Sequence, residues 1–258
     1  MKRKRKLVDD LILYLSIGLK AHKLYRDEKT IAAFYLRNLK KPYDLAFDVG
    51  ANQGVYAKIL STLYREVVCF EPQPMMVEKI KEKAKNSPNL RVIEKAISDR
   101  EGTAKIYLSR QNEMSSMEKK WIQQMRESGR FGNNEWSEER AISTITLDAA
   151  IRRYGVPNFL KVDVEGHEYK VFSTLSHPVK NIVFECTPEA RDAGISSIEK
   201  ISENGKYVFF FAKNGLLPTT VQRRLRMTAC EIKKIISSKE FQSPDYFDVY
   251  AKLAEPND

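Results

Sequence analysis

Two short stretches of this chain hold residues whose types and spacing could do chemistry. Residues 163–168 read Asp-Val-Glu-Gly-His-Glu, four ionisable side chains within six positions. His167 has an unperturbed pKa suited to taking a proton from a hydroxyl, and Asp163 and Glu165 can accept or orient that same hydroxyl. Asp163 falls at the end of a buried strand read over 159–164, and Glu185 sits likewise in the strand 181–186. Together they offer another chemistry, a divalent cation held against both oxygens of a diol. Metal-free chemistry is favoured, because Glu185 has no adjacent Asp or Asn to complete a magnesium site. The plainer alternative is a turn whose carboxylates cap the following helix, with His167 solvated, and for Glu168 capping is the preferred role.

The second stretch is residues 44–72. An apolar run with one acid, Leu45 to Val49, ends at Gly50, as a strand buried on both faces would. Gly50 and Gly54 frame a turn in which backbone can approach a ligand closely. A helix with Val55, Ile59, Leu60 and Leu63 on one face follows, and then a buried strand over 67–70 that ends in Glu71-Pro72. Glu71 lies about 20 residues beyond the turn, the distance at which such folds bind ribose hydroxyls. The turn is G-x-N-x-G and not G-x-G-x-x-G. A carboxylate at Asp48 repels a pyrophosphate and attracts an ammonium group. S-adenosylmethionine has an amino acid end, a sulfonium and a ribose, so it suits both acids. A strand-turn-helix with no ligand is the bland alternative.

The elements that must position these residues follow from periodicity. Pro74 opens a helix to residue 86, and residues 90–96 read as a third strand, giving β-α-β-α-β and a doubly wound α/β sheet. Residues 103–108 alternate as a half-exposed strand. The segment 109–141 is polar and reads as an insertion, with Met117, Trp121 and Met125 on one face of a short helix. That face either packs on the body or belongs to a substrate lid. Further elements are a strand over 143–147, a helix over 148–154, a helix over 169–175, a helix near 228–238, and strands over 206–212 and 246–253.

The 258 residues carry a net charge of +10. Residues 1–43 hold 12 Lys and Arg against 4 Asp and Glu, a net of +8, so the methyl-donor region itself is nearly balanced. The chain therefore divides into a basic helical arm, 1–42, and a domain over 43–258. The arm suits an anionic membrane surface or nucleic acid, or is a solvated end. Its apolar run Leu7–Leu19 is short and contains Asp9 and Asp10, which argues against a spanning helix or cleaved signal. Cys69, Cys186 and Cys230 form no C-x-x-C pair, and the chain reads as cytoplasmic with reduced thiols.

With these stretches in view, the chain resembles the FkbM family of S-adenosylmethionine-dependent methyltransferases. The resemblance rests on FDVGANQGVYA (47–57), CFEPQP (69–74), AISDREG (96–102), TLDAAI (146–151) and LKVDVEGHEYKVF (160–172). It implies a Rossmann-like class I methyltransferase fold, a mostly parallel seven-stranded sheet whose last strand is antiparallel. It implies cofactor contacts at Asp48, Gly50, Asn52, Gly54 and Glu71, with Ala96 and Ile97 beside the adenine. Asp163, Glu165 and His167 would line the methyl-transfer site. The family implies O-methylation of a sugar, glycan or polyketide-like acceptor. An RNA methyltransferase using the basic arm, and a non-catalytic module that keeps the fold, are the competing readings.

Overall fold

The computed structural model describes residues 43–110, 114–130, 132, 134–213, 226–242 and 246–254. The basic arm and its expected helices lie outside the described residues. Seven strands form the central sheet: β1 (Tyr43–Val49), β2 (Tyr64–Phe70), β3 (Leu90–Ile93), β7 (Phe159–Val162), β8 (Asn181–Cys186), β9 (Tyr207–Lys213) and β10 (Phe247–Leu253). Their order is β3-β2-β1-β7-β8-β10-β9, and β10 runs antiparallel to both of its neighbours. This is the doubly wound, mostly parallel sheet with an antiparallel last strand that the sequence implied.

The central strands β1, β7 and β8 and the second half of β2 bury both faces, which is why they read as apolar runs and not as alternations. Phe47, Val49 and Phe70 point into one core with Leu160, Val162 and Phe184, whereas Ala46, Val67 and Cys69 point into the other. Helices α1 (Val55–Leu63) and α2 (Pro74–Ala84) cover the second core through Leu60, Leu63 and Ile80. The first core is covered by α4 (Leu147–Tyr154), α5 (Glu168–Phe172), α6 (Arg191–Glu203) and α7 (Ala229–Ile236). The chain winds outward in opposite directions from β1 and β7, so the strand order reverses between them. Open α/β sheets bind ligands at that crevice.

Three corrections to the sequence reading arise outside the central sheet. The strand expected over 90–96 divides. After β3 the backbone turns, Lys95 N–H donating to the Ile93 carbonyl at 2.9 Å, and β4 (Ala96–Ser98) enters a separate three-stranded sheet. That sheet has the order β4-β6-β5, with β5 (Gly102–Ser109) antiparallel to β6 (Trp136–Thr146). The strand expected from Ser143 thus begins at Trp136, inside the segment read as an insertion. Helix α6, thirteen residues long, was not foreseen. Between β5 and β6, α3 (Lys119–Ser128) buries Trp121 and Met125 as its spacing required, with Ile122 beside them. Met117 instead leans on the small sheet. No helix among the described residues is long and apolar enough to cross a membrane.

Candidate active site

Asp48, the last but one residue of β1, lies directly across from Lys161 on β7. The Lys161 Nζ lies 3.5 Å from Asp48 Oδ1 and 3.3 Å from Asp163 Oδ2, and 4.6 Å above the Tyr56 ring. Asp48 is fully buried. Burial pushes its carboxyl above the ordinary range, Lys161 opposes this, and Asp163 adds to it. For Lys161 burial favours loss of the proton, but the two carboxylates reverse that and hold the ammonium firmly charged. One ammonium between two carboxylates leaves the site acidic. Both Asp48 oxygens lack a hydrogen-bond partner.

The glycine turn meets the Asp163 turn with no side chain between them. Gly50 has φ +76°, and a Cβ there would sit 1.9 Å from the Asp163 carbonyl oxygen. Only glycine fits. Asn52, also left-handed at φ +47°, donates its N–H to Glu71 Oε2 at 2.8 Å, while Gln73 N–H donates to Oε1 at 2.9 Å. The turn and the acid after β2 are therefore one hydrogen-bonded unit. Burial pushes Glu71 up to about 7 against those two N–H groups, and Asp48 adds to the rise. The Asn52 side-chain carbonyl is buried without a partner. Asp48, Gly50, Asn52, Gly54 and Glu71 thus share one rim. Ala96 and Ile97 are buried on β4, just past the end of β3.

The 163–168 stretch converges on the same rim. Carboxylate oxygens of Asp163, Glu165 and Glu185 lie within 4.8 Å of one another, so Glu165 supplies the third acid that Glu185 lacked as a sequence neighbour. Glu165 is held at φ +53°, and its carbonyl accepts from Ser116 Oγ at 2.6 Å. Glu168 is buried, and its Oε1 accepts from Val164 N–H at 3.1 Å and Gly166 N–H at 3.3 Å. It braces the turn and does not cap the following helix as expected, because its oxygen faces back to Val164 and Gly166 and α5 has no side-chain cap bond; burial pushes it up to about 8.

His167 is not solvated. It is 5% exposed, with Nε2 3.0 Å from Ser98 Oγ and Nδ1 2.7 Å from Glu118 Oε1. Ser98, Glu118 and the bridging position of Lys161 have no mark in the local sequence pattern. Ser98 and Glu118 lie 69 and 49 positions from His167, so no local pattern could have found them.

The methyltransferase FkbM domain matches residues 48–209, more than half of the chain and the whole of this rim. The chain belongs to the FkbM methyltransferase family. No curated protein matches it. Among solved structures, methyltransferase FkbM from Methylobacillus flagellatus KT is 10% identical with a TM-score of 0.43, covering 95% of this chain and 60% of that one. A candidate methyltransferase from Streptococcus mutans in complex with SAH is 11% identical with a TM-score of 0.42, covering 87% and 97%. The precorrin-6y C5,15-methyltransferase from Geobacter metallireducens GS-15 is also 11% identical at 0.42, covering 87% and 88%. Likeness at that level carries no argument about this chain's substrate, and the family rests on the domain match.

As an FkbM methyltransferase, the chain takes S-adenosylmethionine as its methyl donor, and the rim suits that molecule. The Asn52 side-chain carbonyl has no partner and the Asp48 carboxylate has only the Lys161 ammonium at 3.5 Å, and buried acceptors are seldom left so. An α-ammonium group and a ribose diol are the donors they and Glu71 would hold.

Proposed function

We propose that this FkbM methyltransferase methylates a hydroxyl oxygen of a sugar, glycan or related metabolite. The observation that carries the reading is the contact between the two turns. The Asp163 backbone touches Gly50, so the Asp163 and Glu165 carboxylates stand immediately beside the turn that receives the donor's amino acid end. S-adenosylmethionine supplies an electrophilic methyl on its sulfonium. The acidic pair takes the acceptor's hydroxyl proton as the oxygen forms its bond to that methyl carbon, and the carbon–sulfur electron pair stays with sulfur. Lys161 pairs with Asp163 at 3.3 Å and fixes it in place. His167 serves this reading as a positioning residue, because both ring nitrogens are already engaged, by Ser98 and Glu118.

A second reading has its own support. Asp163, Glu165 and Glu185 could seat a divalent cation that binds a diol, although the Lys161 ammonium competes for Asp163. An RNA acceptor is less well supported, since Lys161 is held between Asp48 and Asp163 and is not a free catalytic lysine. The cytoplasm is the compartment this reading implies. Cys69 and Cys186 are free and buried, with burial pushing both thiols up, and Cys230 is free and exposed.

The test is methyl transfer from isotope-labelled S-adenosylmethionine into a fractionated metabolite and glycan extract. Label should appear as an alkali-stable ether, and Asp163→Asn should cut the rate by about 10²–10⁴ while SAH binding persists. Label found only on nitrogen, carbon or sulfur would refute the reading. Chelator that abolishes transfer, with magnesium restoring it, would select the cation-assisted form.

A further inference from the structure

Helix α2 braces the glycine turn at three points along its length. Gln73, its N-cap, donates its N–H to Glu71 Oε1 at 2.9 Å, and Glu71 Oε2 in turn accepts from Asn52 N–H at 2.8 Å. Ile80 packs on Gly54 so closely that a Cβ there would lie 2.9 Å from the Ile80 Cγ1. Near the end of the helix, the Lys83 Nζ donates to the Gln53 carbonyl at 2.6 Å. Lys83 belongs to the run Glu78-Lys79-Ile80-Lys81-Glu82-Lys83, whose charges read as an ordinary solvated helix face. It is nevertheless half-buried, and no carboxylate pairs with it among the described residues. Burial, and then the neighbouring Lys79, pull its pKa below the usual lysine range. An ammonium group is thus kept at a cost, and what it meets there is a backbone carbonyl of the turn.

The turn depends on such outside support. Gly50, Asn52 and Gly54 have φ of +76°, +47° and +74°, and Asn52 takes the left-handed shape with a side chain attached. Its own closing bond, Gly54 N–H to the Ala51 carbonyl at 2.8 Å, spans Asn52 and Gln53 without engaging the backbone groups of either. Those groups are held from outside, the Asn52 N–H by Glu71 and the Gln53 carbonyl by Lys83. The two ties grip opposite ends of one dipeptide, the one that carries the unpartnered Asn52 side-chain carbonyl.

We propose that Lys83 is a positioning residue for S-adenosylmethionine binding, its charged Nζ fixing the Gln53 peptide so that the donor meets a turn already in its binding shape. Lys83 touches no reacting atom and acts through Gln53. A brace of this kind shows in affinity, because a turn that holds the competent shape only part of the time binds more weakly in proportion to that fraction. A charged donor on a carbonyl is also stronger than a neutral one, so the ammonium is more than a spacer. The inference concerns the donor side alone and stands whichever acceptor is methylated.

Isothermal titration of SAH into the full-length protein and three variants tests it. Lys83→Met keeps the apolar stem and loses the charged donor, and its SAH dissociation constant should rise about tenfold. Lys83→Arg keeps a charged donor and should return to within about twofold of wild type. Lys81→Met removes a lysine of the same helix that pairs with Glu78 at 2.7 Å in solvent, and SAH affinity should not change. Hydrogen exchange in unliganded Lys83→Met should speed up over residues 50–54 and stay unchanged along the body of α2. Undiminished SAH affinity in Lys83→Met, an equal loss in Lys83→Arg, or an equal loss in Lys81→Met would each overturn the proposal. So would a loss accompanied by faster exchange throughout α2, the mark of a loosened helix and not of a turn that has lost its brace.

Discussion

Glu71 gives the cofactor site a dependence on pH that can be worked out from its surroundings. Its carboxyl is buried and pushed up to about 7, so near neutrality about half of the unliganded protein carries it protonated. Two backbone N–H groups already bond its oxygens, and each oxygen keeps capacity for a ribose hydroxyl only at full strength when ionised. Binding that requires the carboxylate weakens as pH falls through 7. Between about pH 8 and pH 6 the loss approaches tenfold, or about 1.4 kcal/mol. SAH has no group of its own that titrates in that window, which makes it the ligand of choice. Isothermal titration of SAH at several pH values should therefore show the dissociation constant rising about tenfold from pH 8 to pH 6. Glu71→Gln should bind about 1.5–3 kcal/mol more weakly at pH 8 and should flatten the curve. Asp48 is also pushed up by burial, and it remains in the variant, so the difference between the two curves isolates Glu71. Parallel curves for the two proteins would refute the ribose assignment and the pKa argument together.

Other outcomes follow from single contacts. Gly50→Ala should destabilise the fold by about 3 kcal/mol or more, since it adds a left-handed non-glycine residue and a clash with the Asp163 carbonyl, and denaturant melts should show it. Glu168 has a folded pKa above its unfolded value of 4.5, so its stabilising contribution is full below about pH 4.5 and is lost as pH rises through about 8. Glu168→Gln keeps an acceptor for Val164 and Gly166 N–H, and its unfolding free energy should fall less steeply than wild type between pH 5 and 8, by about 1.4 kcal/mol per pH unit. Equal slopes in urea titrations would refute that. Deleting residues 1–6 should leave SAH affinity unchanged and lower salt-sensitive binding to anionic vesicles or nucleic acid, because the excess charge sits in the arm.

The strand-turn-helix geometry of residues 44–72 was legible because its physics is local. A buried strand, a turn that only glycine can make and an acid after the next strand all leave marks within 29 residues of sequence, 44–72. The rest of the site draws on partners that periodicity cannot supply. Strand β6 looked polar through Ser137 to Arg140 because those residues face solvent in the small sheet, so its apolar end alone signalled a strand. Helix α6 has apolar Ile195, Ile198 and Ile201 at helical spacing, but Gly194 and its serines weaken the pattern. Gly194 is there because the Cys186 sulfur lies 2.3 Å from where its Cβ would be. His167 was read as solvated or basic because its burial comes from β4 and the β5–β6 excursion, each placed by tertiary packing.

Those long-range contacts explain how the donor and acceptor sides are held in one frame. Ser98 closes β4, the strand that carries Ala96 and Ile97, and it meets one nitrogen of His167. Glu118 stands at the start of α3, and it meets the other. Ser116, two residues before Glu118, bonds the Glu165 carbonyl. The excursion between β5 and β6 is therefore fastened to the acidic turn at two points, and the turn is fastened to β4 at a third. Across the crevice, Lys161 joins Asp48 to Asp163. Removing His167 would leave each carboxylate in place yet cut one of the two ties between α3 and the turn. The loss should then fall on acceptor affinity more than on SAH affinity, the reverse of what a change at Glu71 produces. A base that merely took the proton would leave acceptor affinity alone and slow only turnover.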